Sequence, residues 1–374
     1  MKKILTIGGA TQDIYLDQQG ADCMSIWQKN SESKYMLFKA GAKVEVNDIL
    51  YFTGGGATNS ATTFKRQGFD VHCFCKIGQD QAGEFIINDL KKEKINYSKI
   101  IKTDKDQSGT SFVINSLKRE RTIFAYRGAN STLSKNEIPL DLIKNSDQIY
   151  ITSLSDNSAK ILPQIVEYAH KHKIPVAINP GKSQLAQGAP ILKENLKYID
   201  TLIMNSDEAK SFMIALMQTD KAYKEILKSS KQSSQYHNQN SDNPTLLKAP
   251  FFYEDYYFSI WKFFKEVLKM GPKIVVITDG EHGVYVANKN EILFHPAIKT
   301  KILDTLGAGD AFGSCFIASL INGKKIAEAL KYGIINASSV ISKMGAKPGI
   351  LNRKELETKA KEFKETLIKK FKLN

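Results

Sequence analysis

The chain has 374 residues, 42% hydrophobic and 10% aromatic, which is enough to bury a large core. Its formal net charge of +14 comes mostly from lysines dispersed along helical patterns, which are typical of solvated faces and argue against nucleic-acid binding as the main function. No stretch reaches the roughly 18 to 20 apolar residues that span a bilayer, so we expect a cytoplasmic protein.

Short apolar runs alternate along the chain with helical patterns. The runs lie at residues 3–8, 147–152, 176–179, 201–204 and 273–278, and residues 159–171 are typical of the helices between them. This alternation predicts an α/β fold with a mainly parallel central sheet. Ligands of such sheets bind beyond the carboxyl ends of the strands, so polar residues at those ends are the first candidates for a site.

Two regions interrupt this pattern. Residues 15–54 and 109–128 contain alternating segments that predict a small antiparallel sheet, which we interpret as a lid. Residues 218–257 form a polar insertion rich in Ser, Gln and Asn, followed by a Tyr/Phe cluster. We expect its polar part to be a surface loop and the aromatic residues to dock on the body, with partner binding as the alternative. The prediction is one domain over residues 1–374.

The cysteines are few and lack the paired spacing of zinc sites. They are Cys23, Cys73, Cys75 and Cys315. Two of them lie in an apolar strand pattern as Cys-Phe-Cys. We interpret all of them as reduced core thiols.

The run Asp-Thr-Leu-Gly-Ala-Gly-Asp at residues 304–310 precedes a helical pattern. Gly307, Ala308 and Gly309 allow a tight turn, and a helix that opens after such a turn presents free N–H groups and its positive dipole end to an anion. Asp310 then lies where it can accept the proton of an attacking hydroxyl, which is the base role in phosphoryl transfer. Helix capping by Asp310 is the alternative.

This run, extended by Ala-Phe, resembles the C-terminal signature of the ribokinase-like (PfkB) carbohydrate kinase family. The sequence Gly-Gly-Gly-Ala-Thr-Asn-Ser-Ala at residues 54–61 resembles the N-terminal signature. The likeness extends in register from residue 3 to about residue 353, except in the polar insertion. It implies a three-layer αβα sandwich with a small β-sheet lid. It also implies an ATP- and magnesium-dependent kinase acting on a sugar-like substrate, with Asp310 as the base and Gly307–Gly309 as the anion hole.

The resemblance implies a substrate site in the N-terminal part of the chain. Asp13 corresponds to a carboxylate that accepts hydrogen bonds from sugar hydroxyls, with a plain turn residue as the alternative. Gly54 and Gly55 correspond to the hinge of the lid, and Asn59 corresponds to a substrate-binding amide. Taken alone, the glycine run would indicate only a flexible turn.

Nucleotide-binding positions follow from the same resemblance. Asn205 and Glu208 match an Asn-x-x-Glu motif in which Asn faces the phosphates and Glu organises magnesium, usually through water; alone, this tetrapeptide also fits a helix N-terminus. Thr278, Gly280 and Gly283 resemble a nucleotide loop at another strand end.

Two later positions also have counterparts in the family. Asn336 corresponds to a residue near the adenine, with a solvent-facing helix residue as the alternative. Asp304 and residues 345–349 correspond to a monovalent-cation site that many relatives use for activation. Whether this chain needs potassium (K+) is open from sequence.

Substrate identity is also open from sequence. Gly56 and Thr11 stand where ribokinase itself would be expected to carry Lys and Asn, which disfavours ribose. The glycine-rich motif also resembles adenosine-type kinases, so a nucleoside is the main rival substrate. Arg119, Arg121 and Arg127 would instead favour a phosphorylated or acidic sugar.

A non-catalytic nucleotide-binding regulator is the alternative from a different class. The intact Asp310 and the intact glycine turn argue against it. Relatives often dimerise through their lid strands, so a homodimer formed through the lid is a further expectation.

Overall fold

The computed structural model of the protein describes residues 1–17, 22–28, 31–115, 121–227, 244–248, 251–253, 256–363 and 367–373. The strands are β1 (Lys3–Ile7), β2 (Thr11–Asp17), β3 (Asp22–Gln28), β4 (Ser31–Leu37), β5 (Asp48–Gly54), β6 (Asp70–Phe74), β7 (Lys76–Gly78), β8 (Ile101–Thr103), β9 (Gly109–Asn115), β10 (Arg121–Tyr126), β11 (Gln148–Ile151), β12 (Val176–Ile178), β13 (Thr201–Asn205), β14 (Phe251–Tyr253), β15 (Tyr256–Phe258), β16 (Ile274–Thr278), β17 (Val284–Ala287), β18 (Glu291–His295) and β19 (Lys369–Lys372).

The helices alternate with these strands in the way that the sequence predicts. They are α1 (Gly56–Arg66), α2 (Gln81–Lys92), α3 (Leu140–Lys144), α4 (Leu162–Lys171), α5 (Lys182–Leu185), α6 (Ala189–Asn195), α7 (Ser206–Thr219), α8 (Lys221–Leu227), α9 (Thr245–Lys248), α10 (Ile260–Lys269), α11 (Ala308–Ile321), α12 (Ile326–Ile341) and α13 (Arg353–Glu362).

The large sheet has the strand order β19-β18-β17-β16-β13-β12-β11-β1-β6 among the described residues. From β6 to β16 every neighbouring pair is parallel, and β17, β18 and β19 continue the sheet in antiparallel fashion. The prediction of a mainly parallel central sheet is confirmed. Its strands are nearly continuous apolar runs because both faces are covered by helices.

Successive residues of the central strands pack into different cores. Ile149 and Ile151 belong to the cluster that contains Phe212 of α7. Tyr150 belongs to the cluster on the other face and packs edge-on against Phe64 of α1, with ring centroids 5.5 Å apart. This alternation gives the three-layer αβα arrangement expected from the sequence.

A separate four-stranded sheet has the order β10-β9-β2-β5. The prediction of a purely antiparallel sheet is wrong. The sheet is mixed, because β2 and β9 run parallel while the pairs β2–β5 and β9–β10 are antiparallel. Residues 34–38, which we expected in this sheet, lie instead at the end of the two-stranded hairpin β3–β4. The small sheet also starts earlier than predicted, at Thr11, and thus includes Asp13.

Within the polar insertion expected at residues 218–257, residues 228–243, 249–250 and 254–255 lie outside the described residues. Its aromatic end forms the hairpin β14–β15. Phe258 is fully buried, and Phe251 packs against the same core cluster. For these two residues, docking on the body is confirmed over partner binding.

Cys73, Cys75 and Cys315 are buried free thiols, as predicted; the side chain of Cys23 lies outside the described residues. In the part of the chain that the structure describes, we find no helix with both the length and the apolarity needed to cross a membrane.

Candidate active site

Asp13 lies on β2, between Phe52 of β5 and Ser111 of β9. Its Oδ1 accepts hydrogen bonds from Ser111 Oγ at 2.5 Å and from Thr11 Oγ1 at 3.1 Å. The residue is only 4% exposed, and this burial raises the pKa of its carboxyl group while the two hydrogen bonds lower it. A Cβ at Gly54 would collide with Asp13 Oδ2, so glycine is required beside this carboxylate.

Asp310 lies in the first turn of α11, which begins after Gly307 in the left-handed conformation, with φ of 77°. No side chain caps this helix. A Cβ at Gly309 would have open space around it. The turn therefore presents helical N–H groups toward an accessible region, as an anion site requires.

Asn59 of α1 connects the two halves of the site. Its Nδ2 donates a 2.9 Å hydrogen bond to Asp310 Oδ2. Burial raises the pKa of Asp310 and nearby Asp13 raises it further, whereas the bond from Asn59 and the charge of Lys347 lower it. Asp310 is therefore a half-buried carboxyl group whose pKa is raised, which suits a general base.

These groups line one cleft of about 360 Å³. Its lining includes Thr11, Asp13, Asn59, Leu306, Gly307 and Asp310. The sequence motifs at residues 11–13, 54–61 and 304–310 are thus brought together although they are far apart in the chain.

Asn205 and Glu208 form a capping box at the start of α7. Asn205 Oδ1 accepts from Glu208 N, and Glu208 Oε2 accepts from Asn205 N, both at 2.8 Å. The helix-start interpretation is therefore correct. Burial raises the pKa of Glu208 most strongly, and the negative charge of Asp310 also raises it, whereas the hydrogen bond from Asn205 N lowers it. Such under-compensated negative charge fits a cation, and magnesium in phosphoryl-transfer sites is held by one or two carboxylates with phosphate and water oxygens.

The described residues contain no cluster of three or more His, Cys, Asp or Glu side chains that could hold a metal ion by themselves. A magnesium ion would therefore take its remaining oxygen ligands from the nucleotide and from water.

Thr278 ends β16 directly beside Asn205 in the sheet register. Gly280 has φ of 52° and open space where a Cβ would be, whereas a Cβ at Gly283, with φ of 122°, would collide with the carbonyl of His295. Gly283 is thus required by the turn itself. The nucleotide roles of Asn205, Thr278, Gly280 and Gly283 stay predictions.

Asn336 lies in the protein interior, between α12, α11 and the loop before α13. It is fully buried, donates from Nδ2 to Ala311 O at 2.9 Å and accepts from Leu351 N at Oδ1 at 2.9 Å. Both ends of its amide are therefore used to tie α12 to α11 and to the loop before α13. The solvent-facing alternative is wrong, because the residue is buried. The role near the adenine stays a prediction, which the two protein hydrogen bonds of the amide disfavour.

Asp304 is also buried, at 6% exposure. Oδ1 accepts from Arg121 Nη1 at 2.9 Å and from Leu306 N at 2.9 Å. Oδ2 accepts from Tyr15 Oη and from Gly345 N, the latter at 3.0 Å. The carboxylate predicted to bind a monovalent cation is thus surrounded by protein donors.

Sequence reasoning missed Lys347, which is buried and donates from Nζ to Thr53 Oγ1 at 2.8 Å and to Asp89 Oδ2 at 2.7 Å. It also missed Ser111 and Tyr15, which position the two aspartates Asp13 and Asp304. These residues have no distinctive local pattern. Their partners are up to 294 positions away in the chain.

Comparison with known proteins agrees with this geometry. The chain matches the family described as "pfkB family carbohydrate kinase" over residues 6–237 and 260–353. It is 28% identical to a ribokinase of Staphylococcus aureus (strain COL), over 80% of this chain and 85% of the relative. It is 26% identical to a 5-dehydro-2-deoxygluconokinase of Bacillus subtilis (strain 168), over 88% and 96%.

The fold is similar to that of the Arabidopsis thaliana ribokinase solved with ribose and ATP. The TM-score is 0.71 at 19% identity, covering 97% of this chain and 99% of that one. The family match covers most of the chain and includes both glycine motifs of the cleft. The chain belongs to the pfkB family of carbohydrate kinases.

Proposed function

We propose that this kinase transfers the γ-phosphoryl group of ATP to a hydroxyl of a sugar or sugar-like molecule, with Asp310 as the general base. The observation that carries the proposal is that Asp310, half-buried and held by Asn59, lines the same cleft as Asp13 and the uncapped turn at Gly307. In the proposal, Asp310 is the proton acceptor, Asp13 is the carboxylate that binds substrate hydroxyls, and the turn at Gly307 is the anion site.

In the proposed reaction, Asp13 accepts hydrogen bonds from substrate hydroxyls and orients the acceptor. The attacking hydroxyl loses its proton to Asp310 while its oxygen forms a bond to the γ-phosphorus. The bond from that phosphorus to the β-phosphate oxygen breaks, and ADP leaves with the electron pair. The N–H groups at the start of α11 stabilise the charge on the transferred group. Magnesium, when bound, neutralises phosphate charge beside Glu208.

The substrate pocket does not match the expectation for ribose. A Cβ at Gly56 would already collide with the side chain of Thr152, so there is no room for a lysine at this position. Thr11 stands where ribokinase would be expected to have an Asn amide, and its hydroxyl donates a hydrogen bond to Asp13. We therefore place ribose below other sugars as a substrate.

Arg127 supports an acidic or phosphorylated sugar as the second candidate. It lines the cleft and is exposed, and a guanidinium binds a carboxylate or phosphate in bidentate fashion. Arg121 does not contribute to this, because it is paired with Asp304, and Arg119 lies outside the described residues. A nucleoside is the remaining alternative from the sequence.

ADP release should be measured with ATP and magnesium on a panel of neutral sugars, sugar acids, sugar phosphates and nucleosides. We expect turnover of a sugar or a sugar acid. If Arg127 binds an anionic group, Arg127→Ala raises KM for the anionic sugar and leaves KM for ATP unchanged. Asp310→Ala, which retains ATP binding, is the control; near-normal turnover in that variant rules out Asp310 as the base.

We also propose that the small sheet mediates a homodimer. Its strands expose large apolar side chains, among them Ile49, Tyr51, Phe112 and Phe124, and exposed apolar patches of this kind mark interaction surfaces. Light scattering after gel filtration is expected to give twice the chain mass, and Phe124→Glu is expected to give a monomer. A monomeric parent protein would contradict this proposal.

A further inference from the structure

The carboxylate of Asp304 has a full set of hydrogen-bond donors. An ionised carboxylate offers about four lone-pair positions, and Asp304 receives bonds from Arg121, Leu306, Tyr15 and Gly345. Its side chain is only 3% exposed. A potassium ion at this carboxylate would have to displace one of these donors.

The donors come from four different segments of the chain. Arg121 and Tyr15 belong to strands β10 and β2 of the small sheet. Leu306 belongs to the turn before α11, and Gly345 belongs to the loop after α12. Asp304 therefore attaches the small sheet to the turn that precedes Asp310.

The positive charge near Asp304 and in the loop at residues 345–349 is supplied by protein side chains. Asp304 already pairs with the Arg121 guanidinium, at 2.9 Å. The loop at residues 345–349 contains a second buried cation, Lys347, which is 6% exposed and pairs with Asp89 at 2.7 Å. A potassium ion bound to Asp304 would lie close to the like charge of the Arg121 guanidinium, which disfavours it. The residues present do not fit a monovalent-cation site.

We propose that Arg121 is a built-in substitute for the activating monovalent cation, and that it positions the turn at residues 306–310 through Asp304. Asp304 Oδ1 accepts from Arg121 and from Leu306 N at once, so the guanidinium fixes the oxygen that holds the turn. Arg121 is a positioning residue, since it acts through Asp304. The kinetic part of this inference rests on the proposed kinase reaction.

The first experiment measures kcat and KM of the parent protein in potassium, sodium and tetramethylammonium chloride at equal ionic strength, which keeps general screening constant. We expect kcat to differ by less than about twofold among the three salts, because no site is left for a metal ion. Activation by potassium of about tenfold or more would overturn the proposal.

The second experiment removes the guanidinium with Arg121→Ala, and with Arg121→Met, which retains an apolar stem. We expect kcat to fall about tenfold or more, as for loss of a group supporting an anion site, with KM for ATP little changed. Potassium, or guanidinium chloride at roughly 10 mM, far below denaturing concentrations, should restore part of kcat. Undiminished kcat, or a loss that neither cation reverses, would overturn the proposal.

Thermal unfolding gives a readout that does not depend on catalysis. A cation that binds only the folded variant raises its melting temperature, so potassium should stabilise Arg121→Ala and not the parent protein. Arg353→Ala is the matched control, because Arg353 forms an exposed pair with Glu357 on α13 and should give neither response. If no sugar is turned over, the proposed function fails, and the melting curves still decide the role of Arg121: a potassium response equal in parent and variant would overturn it.

Discussion

The side-chain amide of Asn59 donates a 2.9 Å hydrogen bond to the carboxylate of Asp310, joining the first turn of α1 to the first turn of α11. The Oδ1 atom of Asn59 is buried and has no hydrogen-bond partner in the described part of the chain. The amide is therefore fixed on one side by Asp310, while the hydrogen-bonding capacity of its oxygen is unused.

Replacing Asn59 with alanine should change the pH dependence of the reaction. The bond from Asn59 lowers the pKa of Asp310, so its loss raises that pKa. The acid limb of the kcat/KM profile is then expected to move to higher pH, and kcat/KM at neutral pH to fall by roughly tenfold to a hundredfold. Asn157→Ala is the control, since the Asn157 side-chain oxygen accepts a hydrogen bond from Lys160 at an exposed position. An unmoved acid limb would show that Asn59 does not tune Asp310.

Asp310→Asn should make the protein more stable and inactive. Burial raises the pKa of Asp310 in the folded state, so the folded chain binds this proton more tightly than the unfolded chain does. Stability therefore falls as pH rises from the ordinary aspartate pKa through the raised one. At pH 7 the variant should therefore have a higher free energy of unfolding than the parent protein.

Urea unfolding of both proteins between pH 3 and 8 measures this gain, which should disappear at the acid end. Turnover should drop by about a hundredfold or more. Asp17→Asn, at an exposed position of β2, should change neither quantity. If Asp310→Asn were less stable than the parent protein at neutral pH, burial would not be the dominant influence on this carboxyl group.

Gly55→Ala and Gly68→Ala form a matched pair. Their φ angles are 89° and 90°, a range that alanine adopts only with strain, so both variants carry a backbone cost. A Cβ at Gly55 would also approach Gly9 O to 2.5 Å, whereas a Cβ at Gly68 meets nothing within 4 Å. Gly55→Ala should therefore lose about 1–3 kcal/mol more stability through overpacking, together with most activity. Equal unfolding free energies for the two variants would show that the close approach to Gly9 relaxes without cost.

Asn336→Ala should destabilise the fold without affecting nucleotide binding. It leaves Ala311 O and Leu351 N without their partner, and each buried polar group left unpaired costs about 1–3 kcal/mol. KM for ATP should stay within about twofold in the variant that remains folded, since a residue making only ground-state structural contacts does not change substrate binding. Asn205→Ala is the reciprocal control: it loses a helix cap, about 1 kcal/mol, and should weaken ATP binding. A raised KM for ATP in Asn336→Ala, at unchanged stability, would restore the adenine contact.

The sequence was sufficient to predict the features that depend on local patterns of apolar residues. Apolar runs predicted the central strands to within one or two residues, because both faces of each strand are buried. Pairing was not predictable in the same way: the parallel contact of β2 with β9 joins residues about a hundred positions apart, and strand alternation alone does not specify a partner. The burial of Asn336 was not predictable either, because a buried and an exposed helical amide look alike in sequence.

The contacts of Asp304 were hidden for a related reason. Tyr15 is 289 positions from it and Arg121 is 183 positions from it, and neither occurs in a motif with a recognised spacing. Tyr15 and Arg121 become partners of this carboxylate only because the fold brings all three side chains together and buries the carboxylate, and burial depends on the whole fold.

Asp13 and Asp310 line one cleft but are carried by different layers, a strand of the small sheet and a helix of the large sandwich. Under the proposed mechanism, recognition of the acceptor and the transfer chemistry are thus encoded in separate stretches of sequence. Positions of β2, β5, β9 and β10 other than Tyr15 and Arg121, which contact Asp304, can then be redesigned to accept a new molecule while residues 307–310 are kept, and acceptor preference becomes the more evolvable property of the chain.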